Sequence, residues 1–322
     1  MNRVILSVVV PVWNEEQNIE PFYEVLEPVV HKETSGAYEI IYVDDGSSDK
    51  TAAAINGLIR RNKQVKLLSL SRNFGKEIAM AAGIAQASGK AVMTIDGDGQ
   101  HPPKCIPEFV AAWKQGAQVV VGVRVTNHSE GFIKKYGSKL FYSLFNGLSG
   151  VSMVPGSSDF RLIDREVQQE FVKLHEPQTI TRGLIDWLGF KRVYIKYAAE
   201  KRVAGDAGYK VRKLMRLAVN SFVSLSPKPL YAFGYLGLII TLVSFVLGSA
   251  VIVEQLLLGD PWQWEFTGTA MLSILVLFLV GLILVAQGVL ALYVSYIHTQ
   301  AKDRPLYVIN RRESVGLPTD NS

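Results

Sequence analysis

Residues 91–103 read Ala-Val-Met-Thr-Ile-Asp-Gly-Asp-Gly-Gln-His-Pro-Pro. Ala91–Ile95 is a short apolar run bounded by turn residues, the pattern of a strand buried on both faces. It closes on Asp96-Gly97-Asp98, two carboxylates around a glycine. Hard oxygen ligands of this kind suit Mg²⁺ or Mn²⁺, which would bridge to a diphosphate. A lone Asp-x-Asp also describes a solvated turn; its position at the end of a buried strand argues for the metal.

Working outward, the same strand pattern recurs at Val4–Val10, which Pro11 is expected to end, and at Tyr38–Val43, Val65–Ser69 and Val119–Val123. Helical stretches lie between: one capped by Asn14 and beginning near Glu15, one after Asp49, then Ala79–Ala87 and Ile106–Trp113. Strands alternating with helices predict an α/β fold, a mostly parallel Rossmann-like sheet flanked by helices. Ligands bind at the carboxyl ends of such strands. The polar clusters Trp13–Glu15, Asp44–Ser48, Arg72–Lys76 and Asp96–Asp98 fall there. Asp45 ends the second strand, where a carboxylate commonly holds a ribose or base edge; helix capping by Asp44 and Ser47 is the structural alternative. There is no G-x-G-x-x-G after the first strand and no G-x-x-x-x-G-K-[ST], which argues against dinucleotide and P-loop readings.

The remaining chain is different. Of 322 residues 48% are hydrophobic, yet Leu230–Val253 and Phe266–Ile297 contain no charged residue at all. About 20 apolar residues cross a bilayer, so each stretch is long enough. The net charge of +5 suggests nucleic acid or an anionic membrane surface. Its placement selects the membrane. Lys210, Arg212, Lys213, Arg216 and Lys228 precede the first stretch, and Lys302, Arg304, Arg311 and Arg312 follow the second. The loop between carries Glu254, Asp260 and Glu265 and no Lys or Arg, so both termini are expected in the cytoplasm. The expected segments are a soluble domain 1–208, a juxtamembrane amphipathic segment 209–228, spans 229–258 and 267–298 around an outer loop 259–266, and a tail 299–322. Residues 131–148 and 209–226 have the pattern of basic amphipathic helices. The polar tail after Arg312 is expected to be mobile. The single cysteine, Cys105, excludes an intramolecular disulfide and fits a reducing compartment. Val4–Val10 is too short for a signal anchor, and no cleavable targeting peptide is expected.

Several stretches together carry a resemblance. They are Val9–Glu16, Val43–Thr51, Leu70–Glu77, Asp96–Pro103, Ser158–Leu162 and Arg304–Tyr307. In this order the chain resembles the family 2 glycosyltransferases with the GT-A fold, in their polyprenyl-phosphate branch (bactoprenol glucosyl and dolichol-phosphate-mannose-like enzymes). The resemblance implies that Pro11, Val12, Asn14, Glu15 and Asp45 cradle the nucleoside, and that Lys76 and Gly97 contact the nucleotide sugar. Asp96, Asp98 and Gln100 would hold Mg²⁺ or Mn²⁺ and the donor diphosphate. Asp159 would sit by the acceptor phosphate, with Asp98 its partner in catalysis. Arg124 and Lys135 would bind phosphate, and Arg202 would close on the donor. The implied partners are a nucleotide sugar, UDP-glucose first, a polyprenyl phosphate and the membrane. Self-association stays open, and nucleic acid is not expected. Pairing of Asp159 with Arg161 or Arg165 is the structural alternative for that carboxylate, and His101 is read as structural.

The chain departs from the family at Gly205-Asp206-Ala207-Gly208-Tyr209, where Gly-Glu-Ser-Lys-Tyr is frequent, and at Ala291-Leu292-Tyr293 with Tyr296, where Gly-Glu-Tyr and Arg are frequent. Two alternatives remain at this point: a polysaccharide synthase of the same fold, which would carry Gln-x-x-Arg-Trp (absent here), and a catalytically altered scaffold that binds nucleotide sugar.

Overall fold

Val8, Val9 and Val10 are wholly buried at the centre of the molecule, in the first strand of a seven-stranded sheet. The computed structural model describes residues 4–125, 154, 156–174, 181–198, 268–302 and 304–317, with six single positions between 235 and 246. The expected amphipathic helices 131–148 and 209–226 therefore lie outside the described residues, as do nearly all of the expected span 229–258, the loop 259–266, Lys135 and Arg202.

The strands are β1 (Leu6–Val12), β2 (Tyr38–Asp44), β3 (Val65–Ser69), β4 (Ala91–Thr94), β5 (Val119–Val125), β6 (Ser157–Asp164) and β7 (Arg192–Ala198). Their order is β3-β2-β1-β4-β6-β5-β7. Every pairing is parallel except those of β6, which runs antiparallel to β4 and β5. Between them lie α1 (Ile19–Thr34), α2 (Thr51–Arg61), α3 (Lys76–Gln86), α4 (Ile106–Lys114), α5 (Arg165–Val172) and α6 (Thr181–Trp187). Alternation along each strand builds two cores. Val8 and Val10 pack with Leu26, Leu58 and Phe109 of α1, α2 and α4. Val9, Ile41 and Val43 pack with Met80, Val167 and Leu184 of α3, α5 and α6. Helix α3 comes so close that a Cβ on Gly83 would lie 2.3 Å from Val9 Cγ1. The chain builds β2 and β3 to one side of β1 and β4 to the other, which opens a crevice at the carboxyl ends of β1 and β4.

Three local expectations change. Pro11 does not end β1, which continues to Val12. Val9 faces β4, accepting from Ile95 N, and Pro11 faces the same way two residues on. The pairing of β1 with β4 has stopped at Val9, so the missing N–H costs no ladder bond. Asn14 does not cap a helix either. It sits at φ +53°, and its Oδ1 accepts from Ser48 N while its N–H donates to Ser47 Oγ. Helix α1 starts only at Ile19. The tail is not loose up to Leu317. Ser71 N donates to Val308 O and Asn310 N to Ser69 O, both at 2.8 Å, and Leu67 and Val315 exchange a pair of backbone bonds. The tail thus covers the open edge of β3, which an unprotected sheet would leave available to other chains.

The chain divides into two units, with residues 304–322 belonging to the first. The second contains α7 (Gly268–Ala301), 34 residues and about 50 Å at 1.5 Å per residue. Its stretch Phe278–Ser295 has a mean hydropathy of 2.2 and no residue buried. By length and composition α7 can cross a membrane, and it coincides with the expected second span.

At the end of the sheet away from the crevice, Glu39 is 1% exposed. Its oxygens accept from Ser7 Oγ, Ser88 N and Oγ, and Lys66 Nζ. Burial pushes this carboxyl up, but the Lys66 ammonium and the hydrogen bonds outweigh it and hold it below its ordinary value. A depressed carboxyl adds stability above its unfolded pKa and loses it as pH falls through the folded one. Lys66→Met should therefore cost about 3 kcal/mol at pH 7, because it strands a buried charge. The gap to wild type should narrow as the pH is taken below about 4. Thermal unfolding at several pH values checks both.

Candidate active site

Four strand ends and two helix starts meet in the crevice. Asp45 is 3% exposed, and its two oxygens accept from Phe74 N at 2.7 Å and Gly75 N at 2.8 Å. It anchors the loop that starts α3. Gly46 lets that loop close. It has φ +68°, and a Cβ there would lie 2.5 Å from the Arg72 carbonyl carbon. Pro11 and Val12 end β1, and the Asn14 bonds tie this end to Ser47 and Ser48. Glu15 N donates to Thr51 Oγ1 at 2.9 Å. Gly97 is buried; a Cβ would touch Val10 and Val12 at 3.3 Å. The residues expected to cradle a nucleoside thus lie on adjoining strand ends.

The loop delivers Lys76. Its Nζ lies 2.7 and 2.8 Å from the two oxygens of Asp96 and 2.9 Å from Asp159 Oδ2. Burial would push this ammonium down, yet the two carboxylates hold it above its usual value. Asp159 follows the same logic in reverse. Burial raises it, but Lys76 and Arg182 outweigh that and hold the carboxyl well below the usual range. Asp159 is accordingly an anion at neutral pH. It pairs with neither Arg161 nor Arg165. Arg161 is 2% exposed and bonds Asp186 at 2.8 Å, while Arg165 bonds Gln168 and Ala87 O.

Asp98 Oδ1 accepts from Gln100 N at 3.0 Å, which folds the turn after β4. Asp96, Asp98 and Gln100 stand together there. Among the described residues no three His, Cys, Asp or Glu side chains form a metal cluster. Two carboxylates and an amide oxygen nonetheless fit Mg²⁺ or Mn²⁺, which take few protein ligands and complete their shell with phosphate oxygens and water. His101 Nδ1 accepts from Asp96 N, and its ring stacks on Phe160. Burial pushes its pKa down, so it stays neutral.

A cavity of about 280 Å³ opens beside these groups, lined by Asp96, Gln100, His101, Arg124, Gly156, Ser157, Ser158, Asp159, Arg182 and Tyr197. Arg124 was expected; Arg182, Ser157 and Tyr197 were not. Arg182 lies at the start of α6, which no apolar run in the sequence marks out.

Residues 7–171 match the family described as Glycosyl transferase family 2. The chain belongs to this family. It is 37% identical over 309 residues to a glycosyltransferase of Synechocystis sp., covering 95% of this chain and 94% of that protein. It is 36% identical over 306 residues to the bactoprenol glucosyl transferase of Shigella phage SfII, covering 95% and 97%. A more distant likeness, 20% identity with a TM-score of 0.48, is to glucosyl-3-phosphoglycerate synthase of Mycobacterium tuberculosis, over 69% of this chain and 78% of that one. The glycosyltransferase therefore carries its family match on the sheet that builds the crevice.

Gly46 and Gly75 (φ +103°) both adopt left-handed backbone, but only Gly46 also lies against another backbone segment. Gly46→Ala should cost more than the roughly 1–3 kcal/mol of strain alone. Gly75→Ala, with nothing within 4 Å, should stay inside that range. Thermal unfolding of the two variants side by side measures the difference.

Proposed function

We propose that this glycosyltransferase moves a hexose from a nucleotide sugar, UDP-glucose first, onto a polyprenyl phosphate at the cytoplasmic face of the cell membrane. The observation that carries the reading is the end-to-end match, through the apolar C-terminal region, to bactoprenol glucosyl transferases. The geometry supports it: one cavity joins Asp96, the ionised Asp159 and two arginines. The product would be lipid-linked sugar for cell-envelope glycans.

A lipid phosphate is already an anion near neutral pH, so the attacking oxygen needs no strong base. The protein must align it with the anomeric carbon and stabilise the leaving diphosphate. Mg²⁺ or Mn²⁺ held by Asp96, Asp98 and Gln100 would neutralise that diphosphate. Lys76 adds a positive charge on the same side. Asp159 orients the reacting groups and stays ionised throughout. Pro11, Val12, Asn14, Glu15 and Asp45 hold the nucleoside, Gly97 gives the donor close access to the sheet, and Arg124 faces the phosphate. Lys135 and Arg202 complete the proposed set. One displacement inverts the anomeric centre.

Purified protein, undecaprenyl phosphate, Mg²⁺ or Mn²⁺ and a panel of radiolabelled UDP- and GDP-sugars provide the test. Label should enter the organic-extractable lipid from one donor. Asp96→Asn and Asp98→Asn should lower turnover by about 10² or more, and Asp159→Asn should lower kcat more than donor affinity. No label from any donor, with folded protein, would sink the reading and favour the scaffold alternative.

Connectivity supports the proposed membrane topology. The first unit includes residues on both sides of the second, up to 214 and from 304. A chain that leaves a unit and returns to it crosses a bilayer an even number of times. If α7 spans, a second crossing is required before it, and 229–258 is long and apolar enough. Both termini and the 1–208 domain then share one side, and the Lys and Arg flanking the two stretches favour the cytoplasm. With Cys105→Ser as background, Trp262→Cys should react with an impermeant thiol reagent on intact cells, and Ser322→Cys only after permeabilisation. The reverse pattern would overturn the topology.

A further inference from the structure

Five buried side-chain polar atoms have no hydrogen-bond partner among the described residues, and three of them belong to one cavity: Ser157 Oγ, Asp159 Oδ1 and Arg182 Nε. Native proteins leave few such atoms, because each forfeits its hydration without compensation. Three on one wall mark a place where a polar ligand completes the bonding. Asp159 Oδ1 only accepts, Arg182 only donates, and a serine hydroxyl does either. The two donors sit beside Arg124, whose side chain lines the same cavity.

Arg182 is not held as a structural arginine would be. Its contact with Ser157 O is long, 3.4 Å, and it has no ion pair among the described residues. Its backbone, by contrast, is fixed from two directions. Thr181 N donates to Glu77 Oε2 at 2.8 Å and Thr181 Oγ1 to Glu77 O, which ties the start of α6 to the residue after Lys76. The buried Arg161 donates to the carbonyls of both Ser158 and Arg182. The fold thus fixes where Arg182 starts; its charge bears on Asp159, and its Nε is left without a hydrogen bond.

We propose that Arg182 and Ser157 form the clamp for the phosphate of the lipid acceptor. This rests on the reading of the protein as a polyprenyl-phosphate glycosyltransferase. The location favours acceptor over donor. Asp45 and the nucleoside-side loops lie at β1 and β2, whereas Ser157 begins β6 and Arg124 ends β5, beyond β4 in the sheet order. Arg182 therefore approaches Asp159 from the side away from the nucleotide. A planar guanidinium gives a phosphate two parallel hydrogen bonds, which fixes its orientation as well as its position. Fixed orientation is what in-line attack requires.

The test measures binding and turnover separately on the full chain in detergent. The probes are a short-chain prenyl phosphate, inorganic phosphate and UDP with Mn²⁺. Arg182→Gln should weaken prenyl phosphate binding at least tenfold and raise its KM to match, with UDP affinity within twofold of wild type. Arg182→Lys should recover part of the loss, and Ser157→Ala should weaken binding severalfold. Retained UDP binding shows that each variant is folded. Unchanged prenyl phosphate binding in Arg182→Gln overturns the clamp, as does a parallel loss of UDP affinity. Inorganic phosphate binding as tightly as prenyl phosphate would reassign the site to free phosphate and also overturn it. Binding that depends on Arg182 in a protein that transfers no sugar would uphold the clamp and remove the proposed reaction.

Discussion

The Lys76 ammonium between Asp96 and Asp159 is the interaction on which the crevice depends. The two carboxylates come from neighbouring strand ends, after β4 and within β6. Like charges this close ordinarily force one group to take a proton. A single cation shared between them offsets that repulsion and holds the Asp159 carboxyl below its usual range. The cation arrives on a loop, and the surrounding structure fixes that loop: Asp45 holds its backbone, Gly46 lets it approach, and the tail bonds to Ser69–Ser71 just before it. The price of this shared cation is a loop with little freedom.

The same arrangement would let the proposed site be charged and still take anions. Lys76, Arg124 and Arg182 face Asp96 and Asp159 around one opening. Neither sign dominates, so a diphosphate and a phosphate can both approach if each meets its own cation. Lys76 stands toward the nucleotide loops and Arg182 toward β6. The division of labour follows the sheet order, with the topological crevice separating the two.

The sequence made part of this legible. Strands β1 to β5 are mostly apolar runs, and the acidic pair lies where such a run stops. Strand β6 was hidden. Ser-Ser-Asp-Phe-Arg-Leu-Ile-Asp has neither a sustained apolar run nor a regular alternation, and its Arg161 is buried. What permits that burial is Asp186, 25 residues away, and no local pattern announces a partner at that distance. Arg182 was missed for the same reason, since its place depends on Glu77 and Arg161 and not on its neighbours. Pro11 misled because a proline usually stops a central strand, and only the early end of β4 makes it harmless. The resemblance put the motif residues Lys76, Asp96 and Asp159 at one site and the structure brings them together, whereas the cation shared among them is visible only in three dimensions.

The tail carries the last consequence. Its hydrogen bonds to β3 lie within ten residues of Lys76 in sequence, and its first residues follow α7 almost directly. Under the proposed topology the catalytic unit is joined to the membrane segments by two covalent links, one before and one after them. A domain on one tether swings freely, and the effective concentration of its site at the lipid headgroups is set by linker length alone. A second link returns the chain to the first unit, and the bonds to β3 hold its far end there. The same backbone bonds therefore protect the β3 edge and fix the returning tail to the unit that carries the site.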